Sequence, residues 1–404
     1  MSNPTSRVAI TGYGCVTALG EDASSTWDAL IEGKTARAPI TEISIDGCRV
    51  REGAQARLPL LSGHTQKQLS RLSRASRLLI PAASEALAKA SLLKSNGMCE
   101  LIRLDTSIGT TACGIEMGEG FLRSVWNNQP RGRGSLLAHY QAQQQVGELH
   151  RHFGFTGSTT LIANACASGS NAIGHAADLI RCGMADIVLT GGYDALCELV
   201  FCGFDALLTL APEACRPFDR GRNGLMLGEG AGFLVLEKES LARTRGVEIH
   251  GFVAGYGHTT DTGHLTLPNQ DGTFVESAVR DALKNAELDV SQIGYINAHG
   301  TATPFNDSAE AKAYRRIFGN TPARLSSTKA ALGHTLGAAG SIEAVLSLLA
   351  LQTGKLPPQI NLIDPEPDVE DMLVKMGEKA DLDAVLSVNL GFGGSTAALA
   401  LSRS

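Results

Sequence analysis

The sequence predicts an α/β protein built from two related halves. Strand-like apolar runs alternate with helix-like segments from end to end, which is typical of the α/β class. Residues 8–14 read VAITGYG and residues 253–257 read VAGYG, and each run opens a new α/β series. We call such an internal similarity an echo. Residues 161–176 and 325–344 form a second echo, because each range runs from an apolar strand into a helix that begins with small residues.

These two echoes divide the chain into halves at 1–250 and 251–404. Chance similarity between Gly-rich turns is the alternative explanation. A duplicated unit brings equivalent loops around one cleft, and the loops that follow the strands carry the chemistry of α/β sheets. The residues in these loops are therefore the candidates for function.

Composition excludes several classes of protein. The 404 residues are 43% hydrophobic and 19% charged, which favours a large core over disorder. Aromatic residues make up 5% and the net charge is −6, so no nucleic-acid partner is expected. The start of the chain lacks a basic segment followed by an apolar one, so no signal peptide is expected. The apolar stretches are too short to span a bilayer, so no membrane insertion is expected either.

The nine cysteines have no pairing rhythm and include no C-x-x-C. This pattern disfavours both a disulfide framework and a zinc site, so no metal is expected. The simplest interpretation is a cytoplasmic protein in a reducing environment.

Cys166 is the first candidate for chemistry. The run TTLIANA at 159–165 reads as a buried strand, and SGSNAIGHAADLIRCG at 168–183 reads as a helix. Cys166 then lies at a helix N-terminus, where unpaired N–H groups and the helix dipole are expected to lower the thiol pKa. A buried, inert cysteine is the alternative interpretation.

Two histidines occupy similar turns. His299 follows the strand-like YINA, and His334 lies in a small-residue turn before an apolar helix. Lys329 is five residues before His334 in the sequence. Burying a lysine is costly unless a carboxylate pairs with it, and Glu310 or Asp307 is available for this. Each histidine alone is equally consistent with a polar loop residue. One cysteine and two histidines at such turns suit covalent catalysis with general acid–base help.

The last Gly-rich segment is NLGFGGSTAALAL at 389–401. Its backbone can direct N–H groups at an oxyanion. It does not fit a dinucleotide-binding loop, because the third glycine is missing and a strand-like run follows instead of a helix. No phosphate-binding loop and no G-x-S-x-G elbow occurs in the chain. No cofactor is therefore expected.

Together these segments resemble the β-ketoacyl-[acyl carrier protein] synthase family, in particular its type II elongating condensing enzymes. The resemblance follows the family's order of motifs and covers the whole chain. The matching runs are the Cys166 segment, RPFDRGRNGLMLGEGAG at 216–232, NAHGTATPFND at 297–307, STKAALGHTLGAAGSIEA at 327–344 and GFGGS at 391–395. The resemblance implies a thiolase-like, five-layered α-β-α-β-α fold made of two duplicated halves.

The resemblance also assigns roles to residues. Cys166 is similar to the nucleophile that accepts an acyl chain from a carrier thioester. The backbone N–H groups of Cys166 and Phe392 correspond to the oxyanion hole, and the Phe392 ring to a gate over the cysteine. His299 and His334 resemble the pair that assists malonyl decarboxylation and stabilises the enolate.

Supporting roles follow in the same way. Lys329 and Glu310 resemble the ion pair that orients the histidines. Thr301 and Thr303 correspond to contacts for malonyl or phosphopantetheine. The chain departs from the family at Asn223 and Leu225, where Asp and Phe are common, and at Val388, which puts a structural cation in doubt. The residues of the NGLMLGEG run weakly resemble those of synthases in polyene or polyketide pathways.

Two further expectations concern the partner and the product. An acidic acyl carrier protein needs a basic surface, and four cations spaced for one helical face supply it: Lys67, Arg71, Arg74 and Arg77. Arg131 and Arg133 form a second candidate, and an ordinary solvated face is the alternative for both. By its resemblance to the family's pocket-closing segment, Ala112 is expected at the end of the acyl pocket, where a small side chain leaves room for a longer chain.

Three functions compete. The first is an active elongating synthase in fatty acid or polyene/polyketide assembly, working as a homodimer or as a heterodimer with a related synthase subunit. The second is a non-catalytic chain-length partner of such a synthase, and the third is a thiolase-like acyltransferase acting on coenzyme A. The retained Cys166, His299 and His334 favour the first.

Overall fold

The computed structural model describes residues 6–61, 66–129, 134–319 and 321–404. The strands are β1 (Val8–Thr17), β2 (Ala38–Pro39), β3 (Glu52–Gly53), β4 (Asp105–Gly109), β5 (Thr159–Ile162), β6 (Ile187–Asp194), β7 (Gly230–Lys238), β8 (Gly251–Thr260), β9 (Ile293–Asn297), β10 (Arg324–Ser326), β11 (Ala384–Leu390) and β12 (Ser395–Ser402). The helices are α1 (Ala23–Ile31), α2 (Gln66–Leu69), α3 (Arg74–Lys89), α4 (Ile115–Trp126), α5 (Ser135–Tyr140), α6 (Ala142–Phe153), α7 (Ser168–Arg181), α8 (Glu198–Ala206), α9 (Glu239–Arg245), α10 (Thr273–Ala286), α11 (Pro304–Phe318), α12 (Lys329–Leu332) and α13 (Ala339–Thr353).

Ten strands form one sheet with a repeated pattern. Their order is β10-β9-β11-β12-β8-β1-β7-β6-β4-β5. Outward from β1, the first two pairings are antiparallel and the next two are parallel. Outward from β8, the same sequence of pairings recurs through β12, β11, β9 and β10. This repetition confirms the predicted duplicated α/β fold.

The helices complete the layers. Helix α3 covers β1 and β7 on one outer face, and α10 covers β8 and β12 on the other. Helices α7 and α13 pack against each other in the middle, where α7 also contacts β4 and β6 while α13 contacts β7 and β11. The resulting order of layers is α-β-α-β-α.

The repeated GYG sequence has a packing cause in each half. At Gly12 in β1, an added Cβ would lie 2.0 Å from the carbonyl oxygen of Ala86 in α3. At Gly255 in β8, it would lie 2.1 Å from the carbonyl oxygen of Ala282 in α10. Only glycine allows the outer helix to approach its strand this closely, so the same residue is required at the same place in both halves.

The second sequence echo marks equivalent turns. Ala165 and Leu336 both take the left-handed conformation, with φ of +57° and +54°. Each begins a short 3-10 turn, Ala165–Ala167 and Leu336–Ala338, that leads into a middle-layer helix. Gly337 therefore stands in the second half where Cys166 stands in the first, so only one half carries the thiol.

Among the described residues, one segment, Leu336–Thr353, is long and apolar enough to cross a membrane, so the prediction that all apolar stretches are too short is wrong for this segment. Of this segment 89% is buried inside the fold, and every residue from 339 to 351 is buried. Its apolar character is therefore that of a core helix between the two sheet halves.

The prediction of one continuous basic helix at residues 67–77 is wrong. Ser73 caps a new helix at this point, so α2 and α3 are separate. Lys67 and Arg71 therefore do not belong to the helix that carries Arg74 and Arg77.

Arg74 is also not free to meet a partner. Its Nε donates to the buried carboxylate of Glu229 at 2.8 Å, and its Nη2 donates to the carbonyl of Ala56 at 2.7 Å. Reversing its charge would leave two acids facing each other in the core, so Arg74 stabilises the fold and does not serve as a docking cation. The second basic candidate, Arg131 and Arg133, lies outside the described residues.

Candidate active site

A cavity of about 420 Å³ brings the predicted catalytic side chains together. Six of the predicted residues line it: Cys166, His299, His334, Thr301, Thr303 and Phe392. Its wall also includes two positions that depart from the family pattern, Asn223 and Leu225. Three predicted residues lie behind the wall: Lys329, Glu310 and Ala112. The cavity therefore brings together the candidate nucleophile and both candidate histidines that the sequence indicates.

Cys166 sits in the strained turn before α7, as the strand-to-helix pattern predicts. Its side chain is only 6% exposed. Burial raises the pKa of the Cys166 thiol to about 12, although Lys329 and the backbone N–H groups of Phe392 and Cys166 act in the opposite direction. The predicted lowering of this pKa is wrong, because the loss of water outweighs the helix start. The resting group is a thiol.

The glycine-rich segment after β11 closes one side of the cysteine. An added Cβ at Gly391 would lie 2.9 Å from the carbonyl oxygen of Asn164 and 3.2 Å from the backbone nitrogen of Cys166. Glycine thus lets this segment reach the cysteine turn, which places the Phe392 N–H beside the sulfur. The Phe392 ring stacks on Phe204 of α8 with centroids 5.6 Å apart. Phe204 was missed by sequence reasoning, because nothing local distinguishes it from a core aromatic.

The two histidine rings meet edge to face. Their centroids are 5.3 Å apart and the ring planes are at 89°. Burial and the charge of Lys329 hold the pKa of both His299 and His334 well below the usual range. Both imidazoles are therefore neutral at pH 7, which makes each an N–H donor or a base without an added positive charge.

Glu310 positions His299 through the backbone. Its carboxylate accepts the N–H groups of His299 at 2.9 Å and Gly300 at 2.7 Å. Tyr314 and Asn306 donate to the same carboxylate. Burial raises the pKa of Glu310 to about 7. The predicted ion pair between Lys329 and Glu310 is wrong, because all of the hydrogen bonds to this carboxylate come from its own segment of chain.

Lys329 pairs instead with Glu343 of α13, and both are fully buried. Asn389 of β11 donates to the other oxygen of Glu343 at 2.6 Å, and Ser170 of α7 donates to Asn389 at 2.6 Å. This chain of hydrogen bonds joins α7, the helix that follows Cys166, to the segment that carries His334. Glu343 was missed, although a single acid in the apolar run AGSIEAVLSLLAL is a signal that it has a buried cationic partner.

We expect Glu343→Ala to lower the free energy of unfolding by about 3–5 kcal/mol, because it leaves the Lys329 charge buried and unpaired. Urea denaturation measures this change. The matched control is the double variant Lys329→Met, Glu343→Leu, which removes both charges and is expected to lose much less. Equal stability of Glu343→Ala and the unaltered protein would contradict the buried ion pair.

Thr301 and Thr303 face the cavity together, with their hydroxyl oxygens 2.9 Å apart. Ala302 between them takes a left-handed φ of +62°. Asp307 holds this turn by accepting the Ala302 N–H at 3.1 Å and the Phe218 N–H at 2.8 Å. The two hydroxyls are thus presented on a fixed loop, as contacts for a polar substrate require.

Asp194, at the end of β6, was missed by sequence reasoning. It accepts the Thr110 hydroxyl at 2.8 Å and the Ala112 N–H at 2.7 Å. It also accepts the N–H of Gly337 at 2.6 Å. Burial raises its pKa to about 6. Asp194 therefore ties the turn that carries Ala112 to the second-half turn that corresponds to the cysteine.

The fold and this site define a thiolase-like enzyme with one cysteine and two neutral histidines. Residues 5–242 match the family described as "Beta-ketoacyl synthase, N-terminal domain", and residues 250–363 match "Beta-ketoacyl synthase, C-terminal domain". The chain therefore belongs to the beta-ketoacyl synthase family.

Similar proteins match nearly the full length of the chain. "Nodulation protein E" of Rhizobium sp. is 36% identical, with 98% of this chain and 99% of the relative covered. "3-oxoacyl-[acyl-carrier-protein] synthase 2" of Staphylococcus aureus is 33% identical, with 98% of each covered. The solved structure "The ishigamide ketosynthase/chain length factor" superposes with a TM-score of 0.91 at 31% identity, over 99% of this chain and all of that one.

Proposed function

We propose that this protein is a β-ketoacyl-[acyl carrier protein] synthase. It joins an acyl chain held on Cys166 to a malonyl unit held on a carrier protein, and it releases CO2. The observation that carries the proposal is one cavity lined by a buried thiol and two neutral imidazoles. A condensation assay with acyl-carrier and malonyl-carrier substrates tests it, and no 3-oxoacyl product from the unaltered protein would refute it.

In the first step, the Cys166 sulfur attacks the carbonyl carbon of the acyl-carrier thioester. A neutral imidazole is available to take the thiol proton, since the resting thiol is protonated. Negative charge develops on the carbonyl oxygen, where the N–H groups of Cys166 and Phe392 stabilise it. The carrier thiol leaves and the acyl chain remains on the enzyme.

In the second step, the malonyl-carrier thioester loses CO2 and becomes an enolate. His299 and His334 donate hydrogen bonds to the enolate oxygen, and their neutrality avoids trapping it as a tight ion pair. The enolate carbon then attacks the acyl carbonyl on Cys166. The new C–C bond forms, the bond between the acyl carbon and the sulfur breaks, and the released thiolate takes up a proton from water to restore the resting thiol.

The partners follow from the reaction. We expect an acyl carrier protein to deliver both substrates, and the name of the Staphylococcus relative includes an acyl carrier protein. A second copy of the chain or a related subunit completes a dimer, and the ishigamide structure pairs a ketosynthase with a chain length factor. The halves at 1–250 and 251–404 form one catalytic unit. A cytoplasmic location in fatty acid or polyene/polyketide assembly fits nine free thiols.

We propose that the carrier docks on the segment before α3, where Arg71 is exposed. We expect Arg71→Glu to raise the KM for carrier-bound substrates and to weaken its dependence on salt, because an attractive charge is reversed. The matched control is Lys94→Glu, beyond the far end of α3. Steady-state kinetics with carrier-bound and small thioester substrates measure the effect. An unchanged KM in Arg71→Glu would place docking on another surface.

We propose that Ala112 limits the end of the acyl pocket. It is 1% exposed and belongs to the same apolar cluster as Phe201 and Leu225, of which Leu225 lines the cavity. We expect Ala112→Ile or Ala112→Phe to shorten the longest accepted acyl chain, because a packed interior has little room for added volume. Product lengths with a series of primers measure this, with Ala112→Ser as the near-isosteric control. An unchanged length distribution in both larger variants would contradict it.

A further inference from the structure

Two cysteines outside the catalytic cavity lie in direct contact. The sulfurs of Cys48 and Cys202 are 3.2 Å apart, although the residues are 154 positions apart in the chain. All nine cysteines fall within the described ranges, and no other two of them have sulfurs within hydrogen-bonding distance there. We propose that Cys48 and Cys202 form a reversible disulfide on oxidation, and that this bond holds the Phe204–Phe392 pair over the catalytic cavity.

The distance between the Cys48 and Cys202 sulfurs is close to that of a disulfide bond. An S–S bond is about 2.05 Å long, so the two sulfurs need to approach by little more than 1 Å. The backbones on either side are already held together, because Asp205 of α8 accepts the N–H groups of Arg49 at 2.8 Å and Val50 at 3.2 Å. Bond formation therefore requires a small shift of two tethered segments.

The two thiols differ in access. Cys48 is 9% exposed, whereas Cys202 is partly exposed on α8. Burial, and then the hydrogen bond with Cys48, raise the pKa of the Cys202 thiol to about 12. Cys202 therefore keeps its proton at neutral pH, and the pair is expected to respond to sustained oxidation and not to brief exposure.

Hydrogen peroxide is a sufficient oxidant. One sulfur attacks a peroxide oxygen, the O–O bond breaks, and the first water leaves with a sulfenic acid remaining on the protein. The second sulfur attacks the sulfenic sulfur, the S–O bond breaks, the S–S bond forms, and a second water takes up the thiol proton. Two thiols thus lose two electrons and two protons, and one peroxide becomes two waters.

The position of Cys202 links the bond to the cavity. Helix α8 carries Phe204 two residues after Cys202, and the Phe204 ring stacks on Phe392. Leu207 and Leu208, directly after α8, line the cavity wall. A covalent tie between α8 and the segment around Cys48 therefore restricts the residues that must move when an acyl chain or a malonyl arm passes Phe392.

Disulfide formation is tested first without any activity measurement. The full chain with Cys166→Ala is treated with peroxide, alkylated and mapped by mass spectrometry, and a linked peptide of Cys48 and Cys202 is expected that a phosphine reductant removes. Cys48→Ala and Cys202→Ser must each abolish it, while Cys182→Ser, which removes an exposed thiol, must retain it. Free, alkylated Cys48 and Cys202 after this treatment would overturn the proposal.

The effect on the cavity rests on the proposed function and is tested separately. Wild-type protein is first acylated on Cys166 to protect that thiol, then oxidised, and its condensation with malonyl-carrier is timed. A several-fold slower rate is expected, recovered on phosphine treatment and absent in Cys202→Ser. An unslowed rate in protein with the mapped disulfide would overturn the restriction of Phe392. Failure of the reduced protein to condense would refute the proposed function and leave the mapped disulfide standing.

Discussion

Cys166→Ala is expected to abolish condensation, with a loss of several orders of magnitude, because no other group in the cavity can hold the acyl chain as a thioester. Acyl transfer from acyl-carrier to the protein, followed by intact mass, measures the first step directly. Malonyl decarboxylation is expected to persist in this variant, since His299 and His334 remain in place.

Covalent labelling of the nine cysteines distinguishes general reactivity from binding in the cavity, because the pKa of Cys166 is raised. A small reagent such as iodoacetamide selects for exposure and thiolate content, so it is expected to modify the exposed Cys182 before the buried Cys166. A carrier-linked acyl electrophile enters the cavity, so it is expected to modify Cys166 ahead of the other eight cysteines. If another cysteine were labelled preferentially and the Cys166→Ala variant still catalysed condensation, Cys166 would not be the nucleophile.

His299→Ala and His334→Ala are each expected to slow malonyl decarboxylation by about 10²–10³-fold, the usual effect of removing one oxyanion donor. Each variant should still accept an acyl chain on Cys166 to some degree, because the N–H groups beside the sulfur come from the backbone. Release of CO2 from malonyl-carrier measures the first effect, and intact mass after acyl loading measures the second.

His175 on α7 provides the matched control for the histidine variants, since it does not line the cavity. His175→Ala should decarboxylate at the rate of the unaltered protein. A wild-type decarboxylation rate in either His299→Ala or His334→Ala would show that the role given to that histidine is wrong.

The grouping of the candidate catalytic residues in one cavity was predictable because they lie in short local patterns. Cys166 and His299 each follow a strand, and His334 lies in the turn between α12 and α13. The echoes and the GFGGS run are visible in the sequence. Local patterns determine where a residue falls on an element, and in this fold the ends of those elements converge on one cavity.

The supporting contacts were not predictable in the same way. The choice of Glu343 over Glu310 as partner of Lys329 depends on how α13 packs between the sheet halves, which sequence spacing does not encode. The pKa of Cys166 depends on how completely water is excluded, and this depends on the whole cavity. The expected basic helix is interrupted because Ser73 caps the start of α3. A regular spacing of charged residues does not by itself determine where a helix begins.

The middle-layer position of α13 has a consequence for the order in which the chain can mature. This helix belongs to the second half, yet it packs against β1, β6 and β7 of the first. Until the ribosome has released residue 353, the first half exposes the apolar surface that α13 covers. Contacts between segments that are far apart in the chain form late, which slows folding and leaves nascent chains prone to aggregation. The N-terminal half is therefore expected to depend on chaperones during synthesis and to gain its stability only after α13 has left the ribosome.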